Sequence, residues 1–420
     1  MPRLADHPFT PLTPLPGPGR LRQFTHRCTA MTLTAVVLAV LGCREDAESP
    51  TAPQATPPLV LAATQTLAFH QVSGGGNHTC GVTTDNRAYC WGWGSSGQLG
   101  DGTTTTRFEP VAVASMLRFR QVSAGGQHTC GVTTDNRAYC WGANFGALGD
   151  GTTTPRLTPV LVMGGRLFRQ VSAGESHTCG VSYPDNQAYC WGSNGQGNLG
   201  DGTTMDRLAP VAVAGGRQFR QVSAGQAHTC GVTTSDRAFC WGSNEFGQLG
   251  DSSEARVRLT PSRVAGTRRF RQLDAGASFT CAVTTSDRAF CWGNGRVGQI
   301  GDGKTFLRFW PRAVAGGHSF TRVSAGGFHA CGETTTNRAY CWGWNLEGAV
   351  GDGTTTMRLK PVAVAGGLAF SQVSAGQTHT CGKTPAAVAY CWGDYTHGQL
   401  GTGAPVNHNH LTPAPVAGPM

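Results

Sequence analysis

His128 to Gly142 read HTCGVTTDNRAYCWG. Thr129 to Thr133 are rich in β-branched residues, which suit a pleated strand. Asp135-Asn136 supply turn chemistry, because both side chains bond their own backbone and tolerate left-handed angles. Arg137 to Trp141 read as the return strand, and Gly142 closes a β-hairpin. With the loop centred on Asp135, Cys130 faces Cys140 at a non-hydrogen-bonded position, where a cross-strand disulfide can form.

The stretch occurs seven times. Its closing Trp-Gly falls at Trp91, Trp141, Trp191, Trp241, Trp292, Trp342 and Trp392, a period of 50 residues with one interval of 51. The same pairing is expected in the other copies: Cys80 with Cys90, Cys179 with Cys190, Cys230 with Cys240, Cys281 with Cys291, Cys331 with Cys341, and Cys381 with Cys391. The pair Cys179 and Cys190 is longer by one residue. A fixed period of this size marks a repeat architecture. The unit from Phe119 offers four short strands, FRQVSA, HTCGVTT, RAYCWG and TPVLV, which is the pattern of a propeller blade. The fold expected is therefore all-β: a seven-bladed β-propeller of four-stranded antiparallel blades over 67–420, with one disulfide per blade. Its first unit begins at Phe69 and its last ends in the strand around Leu411 to Gly418. The two termini are expected to meet in neighbouring strands and latch the ring, leaving no open edge.

Sixty glycines and 14% charged residues suit many short strands and tight turns. The formal charge of +9 falls to +6 once Arg3, Arg20, Arg22, Arg27 and Asp6 of residues 1–43 are removed. The remaining cations are spread over the repeats rather than gathered in a nucleic-acid stripe. Fourteen of the sixteen cysteines fall in the pairs. Paired thiols at that density point to an oxidising compartment, and their spacing is not that of a zinc site.

Residues 1–43 read as an export signal. Arginines precede an apolar run, Met31 to Leu41, too short to span a membrane as a helix, and it ends at Gly42-Cys43. This resembles a lipoprotein cleavage site, in which Cys43 is lipidated and becomes the first mature residue. Residues 44–66, rich in Pro, Ala and Thr, read as a tether. Membrane contact is expected through the lipid alone, and the domain is expected to be a monomer.

The blocks VSAGxxHTCGVT, RAYCWGxNxxGQLGDGT and RxxPVxV resemble the repeat of the regulator of chromosome condensation family, whose members form seven-bladed propellers. The resemblance runs from Leu67 to about Pro415. It implies two narrower functions: a secreted inhibitor similar to propeller-type β-lactamase inhibitor proteins, or guanine-nucleotide exchange on a small GTPase. The cysteine pairs and the export signal depart from the nuclear members.

The repeated residues read as frame. Six histidines, His78, His128, His177, His228, His329 and His379, share one position, with Phe279 as the seventh. Each is expected to bond backbone locally rather than a metal. The Leu-Gly-Asp-Gly-Thr loops pair an aspartate with an arginine six residues on, as Asp101 with Arg107; this is a turn cap, lacking the alternating oxygens of a calcium loop. No catalytic constellation, cofactor motif or metal set stands out. What varies is the segment after Trp-Gly, which carries Trp93, Phe145, Phe246, Arg296, Trp344, Glu347 and Tyr395. Aromatics and arginine are common interface anchors. These residues are the candidate site for a protein or glycan ligand, on the face where the first-to-second and third-to-fourth connections emerge.

Overall fold

The computed structural model describes residues 67–403 and 408–418. Residues 1–66, read above as export signal and tether, lie outside them, and with them Cys43. The described chain forms seven four-stranded antiparallel sheets, each in the order in which its strands follow in sequence. Blades 1 to 7 begin at residues 69, 119, 168, 219, 270, 320 and 372. In blade 2 the strands are Phe119–Ala124, His128–Thr133, Ala138–Gly142 and Arg156–Leu161. Asn136 turns the hairpin with φ +67°, and Cys130 then lies opposite Cys140.

All seven expected cysteine pairs are disulfides. Cys80 is bonded to Cys90, Cys130 to Cys140, Cys179 to Cys190 and Cys230 to Cys240. Cys281 is bonded to Cys291, Cys331 to Cys341 and Cys381 to Cys391. Their Cα–Cα distances are 4.0–4.1 Å, as two residues directly opposite each other in a non-hydrogen-bonded pair require. The extra residue between Cys179 and Cys190 is absorbed in the turn, and the two still face each other across the ladder.

One expectation fails. The last strand, His410–Pro415, pairs with Ala389–Gly393 of its own blade. Phe69–Gly74 is the first strand of blade 1's own sheet. Among the described residues no strand is exchanged at the closure. A blade of four consecutive strands already satisfies its ladder, so blades 7 and 1 meet as every other pair of blades does.

That meeting is built on Trp-Gly. Trp141 of blade 2 is buried in the cluster that holds Cys80, Cys90 and Leu99 of blade 1. Its Nε1–H donates to the Gln98 carbonyl at 3.0 Å, and the Thr129 hydroxyl donates to the same oxygen at 2.8 Å. The indole lies flat on Gly100, where a Cβ would come 2.7 Å from Nε1. The same indole–carbonyl bond, 2.9–3.0 Å long, recurs at all seven junctions, including Trp91 to the Gln399 carbonyl across the closure. Each docking glycine has φ between +64° and +74°, so both conformation and space require glycine there.

Around the axis the innermost strands are joined by side chains. Glutamines of the FRQVSA strand clamp the next blade's main chain: Gln71 Nε2 donates to the Val122 carbonyl at 2.7 Å, and its Oε1 accepts from the Val122 N–H at 2.9 Å. The serines form a second girdle, as Ser73 Oγ accepting from the Ala124 N–H at 3.0 Å. In blade 5, Asp274 replaces the serine and keeps the acceptor, taking the Ala325 N–H at 2.9 Å.

The histidines form a third girdle, and their partner is not the local backbone. His78 Nε2 lies 2.8 Å from Thr129 Oγ1 of the next blade. Thr129 gives its only proton to the Gln98 carbonyl, so the imidazole is the donor and its Nδ1 carries no proton. Burial lowers His78, His177, His228 and His329 to about 3 and His128 and His379 to about 4. Where Phe279 replaces histidine, Ala330 replaces the facing threonine; the larger apolar ring meets the smaller apolar partner, and no hydroxyl is stranded.

Two outcomes follow from these contacts. Gly200→Ala puts a Cβ 2.6 Å from Trp241 Nε1 at φ +69°, so it should destabilise by about 2–4 kcal/mol through strain and overpacking. Gly165→Ala, at φ +64° with no atom within 4 Å, should cost only about 1 kcal/mol; denaturant melts of the pair separate packing from strain.

The neutral histidines set an acid limit. Below about pH 6.5 the unfolded chain gains protons that the folded chain refuses, so their stabilisation is complete above 6.5 and is lost as pH falls toward about 3. Glu333, raised to about 7 by burial, and Glu175 and Asp274, also raised by burial, act in the opposite sense, but they are three groups against six. The melting temperature should fall over that window. It should fall less steeply in a variant carrying both His329→Phe and Thr380→Ala, which copies the Phe279–Ala330 junction.

Candidate functional site

The loops after Trp-Gly are pinned at their base. Asn144 Nδ2 donates to the Thr152 and Thr154 carbonyls, both at 3.0 Å, and its Oδ1 accepts from the Leu148 N–H. Asn194, Asn244 and Asn345 do the same work in their blades. Asp101 receives the Thr103 N–H and pairs with Arg107 at 2.8 Å, the turn cap read from the sequence. Only the loop tips are free to present side chains.

These tips and the first-to-second connections share one face, since Phe246 and Asn294 stand in the wall of a pit whose collar is the Ser-Ala-Gly ends of the innermost strands. The pit holds about 430 Å³. Its collar glycines pack blade on blade: a Cβ on Gly125 would meet the Gly174 carbonyl at 2.4 Å.

The candidate residues take different stations. Phe246 is half-buried in the pit wall, with the Arg296 guanidinium 6.0 Å from its ring centre. Trp344 is half-buried, and its Nε1–H donates to Glu347 Oε2 at 2.8 Å. Trp93 packs against His397 of blade 7, the rings tilted by 46° with centres 5.6 Å apart. Phe145 stands out from the surface, 66% exposed. Tyr395 differs from these: it packs against the blade 7–blade 1 core.

Three further residues belong to this face and escape the sequence reading. Phe328, 43% exposed, lines the pit from the first-to-second connection of blade 6. Leu346 is 60% exposed beside Trp344. Glu175 also lines the pit, its carboxyl raised by burial. Comparing the first-to-second connections across blades would have found Phe328 and Glu175, since the equivalents of Phe328 elsewhere are Asn77, Gln127, Ser176, Ala227, Ser278 and Thr378.

The RCC1-like domain matches residues 115–420, and the regulator of chromosome condensation (RCC1) repeat matches 85–132 and 69–98. The ultraviolet-B receptor UVR8 of Arabidopsis thaliana is 39% identical over 56 residues, a match spanning 13% of each chain. Human WBSCR16 superposes with a TM-score of 0.70 at 20% identity, over 76% of this chain and 87% of its own. Prp20p of Saccharomyces cerevisiae, described with its binding to Gsp1p and histones, has a TM-score of 0.70 at 20% identity, over 83% and 87%. The ectodomain of the Arabidopsis thaliana receptor kinase ACR4 has a TM-score of 0.50 at 21% identity, over 78% and 96%. At these identities the structural likenesses speak to fold. The domain match, covering well over half the sequence, places the chain in the RCC1-like domain family.

Proposed function

We propose that this propeller is a non-catalytic binding module that holds a protein partner on its loop face, around the axial pit. The observation that carries this reading is the contrast between frame and tips. Every tryptophan of the Trp-Gly repeat is buried, whereas Phe145, Phe246, Trp93 and Trp344, which break the repeat, keep part of their rings at the surface of one face. Aromatics of that kind, flanked by Arg296 and Glu347, suit a desolvated interface centre with a charged rim. Prp20p, which shares the fold, binds the proteins Gsp1p and histones, and this supports a protein over a glycan as ligand. The seven buried disulfides support an oxidising site of action. Lipidation of Cys43 would hold the module at the cell envelope.

Affinity capture from an envelope extract tests the reading. The wild-type chain should retain a partner that Phe246→Ala and Trp344→Ala each weaken by about 30-fold or more, with melting temperatures within a few degrees of wild type. Undiminished capture by both folded variants would place the ligand elsewhere; capture competed by soluble glycan would make the ligand a sugar. Separately, Cys43→Ser should release the protein from the membrane fraction. A wild-type chain already soluble in the culture fluid would remove the anchor.

A further inference from the structure

The opposite end of the channel has a different chemistry. There the innermost strands begin. The residue after each leading phenylalanine is His70, Arg120, Arg169, Arg220 or Arg271 in blades 1 to 5. In blades 4 and 5 these arginines are neutralised. Arg220 pairs with Asp236, and Arg271 with Asp287 at 2.6 Å. Both aspartates occupy the left-handed position of the hairpin turn in their own blade.

In blades 2 and 3 that turn position holds asparagine, and the arginines stay charged. Arg120 Nη2 donates to Asn136 Oδ1 at 2.9 Å, and Arg169 Nη1 to Asn186 Oδ1 at 2.5 Å. Blades 6 and 7 have Thr321 and Ser371 at the arginine position but restore the cation from elsewhere. Arg322 replaces the girdle glutamine, and Lys383 replaces the valine of the second strand. Lys383 Nζ donates to Ser371 Oγ at 2.9 Å.

The ring therefore divides by charge. Blades 6, 7, 1, 2 and 3, adjacent around the closure, present Arg322, Lys383, His70, Arg120 and Arg169. No salt bridge joins any of these to a carboxylate among the described residues, and Asp85 and Asp135 nearby are taken by Arg87 and Arg137. Those five side chains, with Gln71, Gln121, Gln170, Gln372 and Ser371, line an open depression of about 510 Å³ at this mouth. The size suits a small molecule. The amides and the hydroxyl add neutral hydrogen-bonding groups, and guanidinium forks match the oxygens of phosphate or carboxylate.

The crescent is held against its own repulsion. Arg120 is lowered by burial and by Arg169; Lys383 is lowered by burial and by Arg322, with Glu333 pulling the other way. The nearest acid, Glu333, is buried with neither carboxyl oxygen hydrogen-bonded. Glu333 is the one acid acting on Arg322 and Lys383, and the side-chain partners of Arg120 and Lys383 are neutral, so the cluster keeps a net positive charge that a bound anion would offset.

We propose that this mouth binds a compact multivalent anion, an oligophosphate or polycarboxylate small molecule, in the crescent formed by Arg322, Lys383, Arg120 and Arg169. This site lies at the far end of the channel from the loop face and stands independently of the partner proposed there.

Calorimetric titration of the purified full chain with tripolyphosphate, and separately with citrate, tests it. One-to-one binding of at least one probe, weakening with added salt, is expected. Arg120→Gln and Arg322→Gln should each weaken it by about tenfold or more. Lys360→Gln, on the exposed outermost strand of blade 6, should leave it unchanged. A gain arm guards against variants that merely misfold: Asp236→Asn frees Arg220 and should tighten binding. Preference for tripolyphosphate or for citrate would assign the ligand to phosphates or carboxylates. Absence of binding by either, or equal weakening in Lys360→Gln and in the crescent variants, would overturn the proposal.

Discussion

The structure depends on one contact, the indole of each blade lying flat on a glycine of the blade before it. The glycine must be left-handed and bare, and the loop carbonyl two residues earlier must point at the indole N–H. Both conditions are met seven times. The contact shields the disulfide of the preceding blade, since Trp141 shares a cluster with Cys80 and Cys90. It also explains how a ring can close without exchanging a strand. When every junction is the same side-chain dock, the junction between the first and last blades needs nothing special. Gln372 clamps the main chain of Val72, Ser374 accepts from the Gly74 N–H, and His379 reaches Thr79, with the bonding pattern used elsewhere in the ring.

Against so regular a frame, departures carry information, and they are of two kinds. Some are compensated. Phe279 with Ala330 replaces a polar pair by an apolar one, and Asp274 in place of serine still accepts the Ala325 N–H while Ser223 donates to it. These keep the frame intact by another route. Others are not compensated. Arg322 breaks the glutamine girdle, Glu333 is a buried carboxyl without a hydrogen-bond partner, and Phe328 exposes an aromatic where other blades have small or polar residues. Uncompensated departures collect at the two ends of the axial channel. The two faces of the disc thus differ in kind: aromatic with scattered charge at the loop end, cationic at the hairpin end.

The hairpin turn links local structure to surface charge. Its left-handed residue is Asn86, Asn136, Asn186, Asp236, Asp287, Asn337 or Ala387. Asparagine and aspartate serve the turn equally well. They differ by one charge, and that charge decides whether the arginine beside it is neutralised.

Much of this protein was determined by its sequence alone. A period of 50 residues, β-branched strands and Asx turns specify hairpins, their register and the facing cysteines through interactions within one unit, so each copy states the same thing. The number of blades follows by counting, and the capping aspartates with their arginines lie six residues apart, within reach of local reading. What only the tertiary structure decided involves atoms about 50 residues apart. The histidine's partner is a threonine of the next blade, and the terminal strands stay in their own sheets. Tyr395 packs on the core while Trp93 and Phe246 keep exposed edges. The cationic crescent draws on three different repeat positions, those of Arg120, Arg322 and Lys383, and the curvature of the ring alone brings them to one mouth. A linear pattern records period and alternation; it does not record which faces of neighbouring blades turn toward a common axis.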